Sequence, residues 1–424
     1  MSDGVRVLAA DVAVVGAGPA GLAAACRAAE AGRRVVMLDE APHLGGQIWR
    51  HRDRALLPAA ARKWLERFDR SGALALPGTS VVDVTDRWVS GIRRHEMVRV
   101  EAPRLVIATG ARELFLPFPG WTLPNVAGVG GLQALLKSGV SFAGKRVALA
   151  GAGPLLLPVA ASLARAGARL VVVADRTAPA KFRGLAAGLL SRPGDLWQGL
   201  RYRAAFAGVP YRWGTRVVKA TGEGRVTEVT LSSRGRTWTA SVDVLGTAAG
   251  LVPNSELARL GGCDVRDGTV VVDDTQRTTR DHIWCAGEPT GVGGVDLAQV
   301  EGEIAGLDAS GRPVPPSLAA ARDRHRAWAR RLDEAFRVVD PDPPPPDTLV
   351  CRCEDVPLGA LRRDWSFRQA KLYTRVGMGS CQGRVCGAAL RAWYGWNPDS
   401  ARTPLVPATV ASLVSTLETP DATA

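Results

Sequence analysis

Two glycine-rich turns, each set between a short apolar strand and an Ala-rich helix, constrain this 424-residue chain more than any other feature. The first reads Asp11-Val-Ala-Val-Val-Gly16-Ala-Gly18-Pro19-Ala20-Gly21, then a helical run to Ala31, then Val35-Val-Met-Leu-Asp39-Glu40. The second reads Arg146-Val-Ala-Leu-Ala-Gly151-Ala-Gly153-Pro, a helical run to Ala166, then Leu170-Val-Val-Val-Ala-Asp175. Each ends in an acid 24 residues after its first glycine (Gly16 to Glu40, Gly151 to Asp175). Strand, tight turn, helix and strand in that order make a βαβ unit, so the pattern predicts an α/β fold built on two parallel sheets. Arg104-Leu-Val-Ile-Ala108-Thr109-Gly110 and Val242-Asp-Val-Leu-Gly-Thr-Ala-Ala-Gly250 each read as a buried strand running into a glycine turn, as does His282-Ile-Trp-Cys-Ala-Gly287-Glu288. Residues 181–240, rich in Arg, Trp and turn residues, give no clear strand pattern.

The chain is too long for one ordinary core, and two or three domains are expected. Its 46% apolar and 22% charged residues exclude wholesale disorder and coiled coil. The net charge of +13 comes almost entirely from Arg. The basic residues are scattered, with no run of five, which argues against nucleic acid as a partner. No stretch is long and apolar enough for a transmembrane helix, and the N-terminus runs into the glycine turn rather than a signal peptide. A cytoplasmic protein is expected, or one peripheral at the inner face of the membrane. Seven cysteines, unevenly spread, are no disulfide framework. Asp340-Pro-Asp-Pro-Pro-Pro-Pro-Asp347 predicts a semi-rigid spacer and a domain boundary.

In the first turn Gly16 permits the tight bend, Gly18 lets the backbone approach a pyrophosphate, and Gly21 lets helix and strand pack closely. The helix N-terminus, opened by Pro19 and Ala20, attracts phosphate charge. Asp39 or Glu40 is placed to bond a ribose hydroxyl, and the sequence phase leaves the choice open. In the second turn Leu156 stands where the third glycine belongs, and Arg176 follows Asp175. A leucine there crowds helix against strand or displaces a pyrophosphate, so a working NAD(P)H site is not expected. No close cysteine pair lies in the two-turn region. Cys26, Cys263 and Cys285 are expected to be small buried residues. The histidines at 43, 51, 95, 282 and 325 form no close pair at catalytic or metal spacing, and no catalytic residue is assigned.

Cys351-x-Cys353 and Cys381-x4-Cys386 are two close thiol pairs with 27 residues between them. Such a set suits a metal or a cluster, and zinc competes by count, although its usual pairs are Cys-x2-Cys. From 351 to 386 there are seven basic and three acidic residues, a local +4 that suits either a solvated surface or an acidic redox partner.

With Gly45-Gly46-Gln47, Ala108-Thr109-Gly110 and Trp284-x-Ala286-Gly287-Glu288, residues 8–310 resemble the two-dinucleotide-domain flavoprotein superfamily that includes thioredoxin and glutathione reductases. The resemblance implies a flavin in the first site, with Glu288 in place of the Asp that bonds the ribityl chain. It also implies nested domains: an FAD-type domain at 1–118 and 245–330, and an inserted NAD-type domain, degenerate, at 119–244. The segments around the four cysteines resemble the [2Fe–2S] domain of bacterioferritin-associated ferredoxin, placed at 348–400 after a helix end and spacer at 331–347. An uninformative tail at 401–424 follows, its last residues expected to be disordered.

Three longer strings agree: Leu38-Asp-Glu-x4-Gly-Gly-Gln-Ile-Trp, Ala108-Thr-Gly-Ala-Arg-Glu-Leu-x-Leu-Pro-Phe-Pro-Gly-Trp121 and Gly151-x-Gly-Pro-Leu-Leu-Leu157. The whole combination resembles the large accessory subunit of heteromeric flavin-dependent amine and imino-acid dehydrogenases. That group covers D-hydroxyproline dehydrogenase, opine oxidase and hydrogen cyanide synthase, with the α subunits of sarcosine oxidase and dye-linked proline dehydrogenase. The resemblance implies FAD, or another adenine dinucleotide or ATP, in the first site and a [2Fe–2S] cluster on the four cysteines. Some members also hold FMN at the interface with a partner. The implied partners are a D-amino-acid-oxidase-like subunit that oxidises the substrate and a small ferredoxin-like [2Fe–2S] subunit. Two rival readings are a stand-alone NAD(P)H-dependent ferredoxin-type reductase and a structural subunit whose bound nucleotide is never reduced.

Overall fold

The structure, a computed structural model, describes residues 5–190, 192–338, 342–397 and 401–414. The start of the expected spacer (Asp340-Pro341) and the end of the tail (415–424) lie outside the described residues. The chain forms two compact units: 1–112 with 253–329 and 400–424, and 113–252 with 330–399.

The first unit is built on a five-stranded parallel sheet in the order Ile283–Cys285, Leu105–Ile107, Val12–Val15, Val35–Asp39, Leu74–Pro77. Its strands are near-continuous apolar runs because both faces are covered. Val12, Val14, Met37 and Val106 face one core; Ala13, Val15, Leu38 and Ile107 face the other. Helices Pro19–Glu30 and Val295–Ala309 pack against each other on the first of these faces. A Cβ on Gly302 or Gly306 would lie 2.1 Å from the Ala20 carbonyl oxygen or 2.3 Å from that of Ala24, so only glycine lets the two backbones approach this closely. A second sheet, Arg6–Ala9, Glu96–Glu101, Trp88–Arg93 and Thr79–Val84, covers the other face.

The second unit repeats the plan with strands in the order Val126–Gly128, Val244–Ala248, Arg146–Gly151, Arg169–Asp175, Tyr211–Trp213, again all parallel. The segment that gave no strand pattern begins with two helices, Pro179–Leu190 and Pro193–Ala204, and only then turns to strands. An antiparallel sheet (Thr215–Thr221, Glu228–Ser233, Arg236–Ser241) follows. The charged stretch near 316 is the helix Pro316–Phe336. The C-terminal part of this unit has its own core, including Val350, Phe367, Leu390 and Trp393, with Leu116 packed against it. The indole N–H of Trp121 donates to the Leu349 carbonyl at 2.6 Å. Helix Phe367–Thr374 starts on a reciprocal capping box between Ser366 and Gln369. No helix among the described residues is long and apolar enough to cross a membrane.

Candidate functional site

The first glycine turn is fixed by collisions that any side chain would cause. Gly16 has φ +103°, and a Cβ there would lie 2.2 Å from the Ala108 carbonyl oxygen. A Cβ on Gly21 would lie 1.8 Å from the Gly16 carbonyl oxygen. Gly18 is the N-cap of helix Pro19–Glu30, carries no side-chain cap, and leaves the first-turn amides for a ligand. Gly45 donates its amide to the Ala17 carbonyl (2.8 Å), and Gly46, at φ +60°, faces Gly18. The Gly45-Gly46-Gln47 segment therefore folds back on the turn, anchored by buried Trp49.

The two acids left open by the sequence have different surroundings. The Asp39 carboxylate accepts from the amides of Ala17 and Ala41, which ties it to the glycine turn, and burial pushes its pKa up. Glu40 is exposed. Ala108 is buried against the turn. Thr109 donates its hydroxyl to the Asn254 carbonyl (2.7 Å), and the Asn254 amide group donates back to the Thr109 carbonyl (2.9 Å). Gly110 continues at φ +70°.

Gly287, at φ +80°, sits against Ala20 and donates its amide to Glu301 (2.9 Å). Glu301 is 1% exposed and also binds the Thr290 hydroxyl and Arg326. Neither Glu301 nor Asn254 is signalled by a motif. An acid at a core position of the apolar helix Val295–Ala309 is the one trace Glu301 leaves in the sequence. Glu288 accepts from the Gly294 amide through one carboxylate oxygen (3.0 Å), while Oε2 is buried with no partner. Burial, helped by the charge of Glu301 and opposed by the amides of Gly294 and Gly293, raises its pKa to about 7.

That shift has a measurable consequence for the nucleotide-free protein. The unfolded carboxyl gives up its proton near the ordinary glutamate value of 4.5, whereas the folded one keeps it to about 7. Stability is therefore lost as pH rises through this window, by about 3 kcal/mol once Glu288 is fully ionised. Glu288→Gln is expected to remove that slope in denaturant midpoints measured from pH 4.5 to 8. Equal slopes in the two proteins would show that Glu288 is not the group responsible.

The second turn keeps the form of the first without its openings. A Cβ on Gly151 would lie 2.0 Å from the Ala248 carbonyl oxygen, as at Gly16. Leu156, by contrast, is fully buried in the core of the unit, under the first turn of helix Leu156–Arg165. Asp175 is fully buried and accepts from the Tyr211 hydroxyl (2.7 Å) and the Thr177 amide (2.8 Å). A Cβ on Gly153 would lie 4.0 Å from Cβ of Phe336, at the end of helix Pro316–Phe336.

Cys26, Cys263 and Cys285 are buried free thiols, each with its pKa raised by burial, Cys26 to about 12. The other four lie together. Cys386 is hydrogen-bonded to both Cys351 and Cys381, and Cys381 also to Cys353, so the thiols form a chain Cys351–Cys386–Cys381–Cys353. Hydrogen bonding lowers the Cys351 pKa to about 6 and the Cys381 pKa to about 4, and raises that of Cys386. The amides of Gly377, Glu354 and Cys353 point at the Cys351 sulfur, and those of Val385 and Gly383 at Cys381. Gly379 has room for no side chain, since a Cβ there would lie 2.2 Å from Cβ of Cys353. Cys351 and Cys386 are buried and Cys353 is exposed. Among the described residues no three His, Cys, Asp or Glu side chains converge as a site for a metal ion.

Residues 10–303 match the family model of pyridine nucleotide-disulphide oxidoreductases. The chain is 32% identical to hydrogen cyanide synthase subunit HcnB of Pseudomonas aeruginosa, over 88% of this chain and 90% of the relative. It is 34% identical to an opine oxidase subunit of Rhizobium meliloti, over 90% and 91%. The fold is similar to that of L-proline dehydrogenase from P. horikoshii (TM-score 0.70, 21% identity, 96% of this chain and 80% of that one). It is also similar to thioredoxin reductase of T. acidophilum (TM-score 0.56, 22% identity, 72% and 98%), which makes it a two-dinucleotide-domain flavoprotein fold. With a complete first glycine turn, a second one in which leucine replaces the third glycine, and relatives matched along nearly their whole length, the chain belongs to the pyridine nucleotide-disulphide oxidoreductase family, in the group of accessory subunits that holds HcnB and its opine oxidase counterpart.

Proposed function

We propose that this chain is the electron-transfer subunit of a heteromeric flavin-dependent dehydrogenase whose companion, a D-amino-acid-oxidase-like subunit, oxidises an amine, opine or (hydroxy)proline-type imino acid. The thiol chain carries this reading. Four clustered cysteines, two of them with amide donors aimed at their sulfurs, suit a [2Fe–2S] cluster, in which each iron takes two thiolates and the amides stabilise sulfur charge. A lone zinc ion requires four donors converging on one point, and the chain arrangement favours the two-iron centre. We assign Cys351, Cys353, Cys381 and Cys386 as its ligands.

We assign the first turn to FAD. Gly16, Gly18 and Gly21 shape the phosphate cradle, and Asp39, tied to the turn through the Ala17 amide, is the acid for the ribose. The orphan Glu288 Oε2 is an acceptor matched to a ribityl hydroxyl, and the flavin supplies the redox chemistry. This chain's residues bind, orient and shield it. An FMN at the companion's interface and a small ferredoxin-like subunit belong to the same proposal. Exposed Leu372 and Tyr373 beside exposed Arg368 give the cysteine region a face suited to an acidic redox partner. A cytoplasmic location, peripheral to the membrane at most, is part of this reading.

The test is cofactor analysis of the chain purified alone and together with its companion. Iron and sulfide content, the mass of released nucleotide, and bleaching by NAD(P)H or by amines are read side by side. Two irons, FAD, and bleaching by an amine only with the companion are expected. Prompt bleaching of the lone chain by NADH or NADPH would make it a stand-alone reductase. A bound nucleotide without redox-active flavin would make it a structural subunit.

A further inference from the structure

We propose that the inserted nucleotide domain binds a phosphate monoester carried on an aromatic body, a ligand of nucleoside monophosphate size, in place of a pyridine dinucleotide. The site is a cavity of about 430 Å³, within the range of small-molecule sites. It lies at the carboxyl ends of parallel strands, lined by Gly151, by Thr247–Ala249 and by Arg176, which follows strand Arg169–Asp175. Ligands of open α/β sheets bind at such ends.

The polar groups around this cavity are nearly all donors. Arg176 is half-buried and makes no ion pair among the described residues. Burial and the neighbouring Arg216 push its pKa down, against the opposing charge of Asp342. Arg216 and Lys219 line the same cavity. The one carboxylate on the wall is Asp342, largely exposed and 4.0 Å from Arg216. Trp393 is 8% exposed, and its indole N–H is buried with no acceptor. A buried donor without an acceptor, on the wall of a cavity that also holds Arg176, is costly unless a ligand supplies the acceptor. Three cations against one carboxylate leave about two positive charges, which matches a dianionic phosphate monoester. The remaining walls are apolar and rigid: Leu116, Phe118 and Pro343–Pro345 form surfaces suited to an aromatic ring.

A dinucleotide is not accommodated in the same way. The acid at its ribose position, Asp175, is fully buried and bonded to Tyr211 and Thr177, and Leu156 fills the place of the third glycine. The inserted domain thus keeps a phosphate site while giving up the extended one.

Calorimetric titration of the full-length protein, with its own cofactors bound, tests this with AMP, inorganic phosphate, adenosine, NADH and NADPH as probes. AMP is expected to bind at least about tenfold more tightly than adenosine, because charge-assisted hydrogen bonds carry the recognition. Arg176→Ala is expected to weaken AMP by about tenfold or more. Trp393→Phe, which keeps the wall and removes the donor, is expected to weaken it by a few-fold, and it decides the matter if Arg176→Ala lowers the melting temperature. AMP affinity unchanged in Arg176→Ala and Trp393→Phe would place the nucleotide in the first glycine turn and overturn the proposal. So would NADPH binding that exceeds AMP and disappears in Arg176→Ala, and so would failure of both AMP and phosphate to bind.

Discussion

A Cys386→Ser protein is expected to leave purification with at least about tenfold less iron than the unsubstituted chain, since changing even an outer partner of a metal ligand costs that much. Cys386 is chosen because it is the middle of the thiol chain, hydrogen-bonded to Cys351 on one side and Cys381 on the other. It is buried at the start of helix Cys386–Tyr394, so the serine oxygen has no freedom to move towards a metal. Cys26→Ser, Cys263→Ser and Cys285→Ser are the controls. Their thiols are buried singly and held in the neutral form, and iron is expected to be unchanged in all three. The melting temperature will also fall in Cys386→Ser, because the residue belongs to the small core with Val350, Phe367 and Leu390. Iron per folded chain is therefore the measurement, with folded chain quantified by near-ultraviolet circular dichroism. Full iron retention in folded Cys386→Ser would remove the cluster from these four residues. Stoichiometric zinc in place of iron would remove the electron exit from the proposed function.

The parts of this molecule that were legible in the sequence are those where local chemistry and fold demand the same residues. Gly16 and Gly151 are required by backbones crossing at the ends of their strands, and the demand is visible as a glycine at fixed spacing from an apolar run. The parallel pairing of the two strands that flank each turn follows from the βαβ pattern in the same way. Helices Pro179–Leu190 and Pro193–Ala204 were not legible, for a physical reason. Leu185 is buried but Leu190 of the same helix is exposed, and Pro193–Ala204 buries none of its residues and exposes Trp197 and Leu200, so apolar and polar positions do not separate onto an inner and an outer face. What distinguishes Asp39 from Glu40 is the hydrogen bond from the Ala17 amide, a contact across 22 residues. Glu301, Asn254 and the cavity around Arg176 and Trp393 are likewise made by distant segments, and no window of sequence contains them. Asp175 shows the opposite failure. Its position at the end of a strand suggests a ribose ligand, yet the side chain is spent on Tyr211 and Thr177.

Leu156 raises the question whether the second site can be recovered by restoring a glycine. Leu156→Gly is expected to destabilise the protein by about 3–5 kcal/mol, without any gain in bleaching by NADH or NADPH. Leu156 is fully buried among Val129, Leu149, Val159 and Val173, and its removal leaves a cavity in the centre of the inserted domain. The first turn tolerates glycine at the matching place because its backbone has closed in: Gly21 lies so near the Gly16 carbonyl that a Cβ has no room. The second turn has been rebuilt around the larger side chain, with the packing of the domain depending on it. Glycine there would also leave Asp175 buried and bonded to Tyr211, an obstacle that does not depend on residue 156. Urea denaturation gives the stability change, and anaerobic mixing with NADPH gives the bleaching rate. A variant that kept its stability and bleached quickly would show that one side chain alone had closed the site. The buried acid predicts the reverse, because the loss of the site is not confined to residue 156.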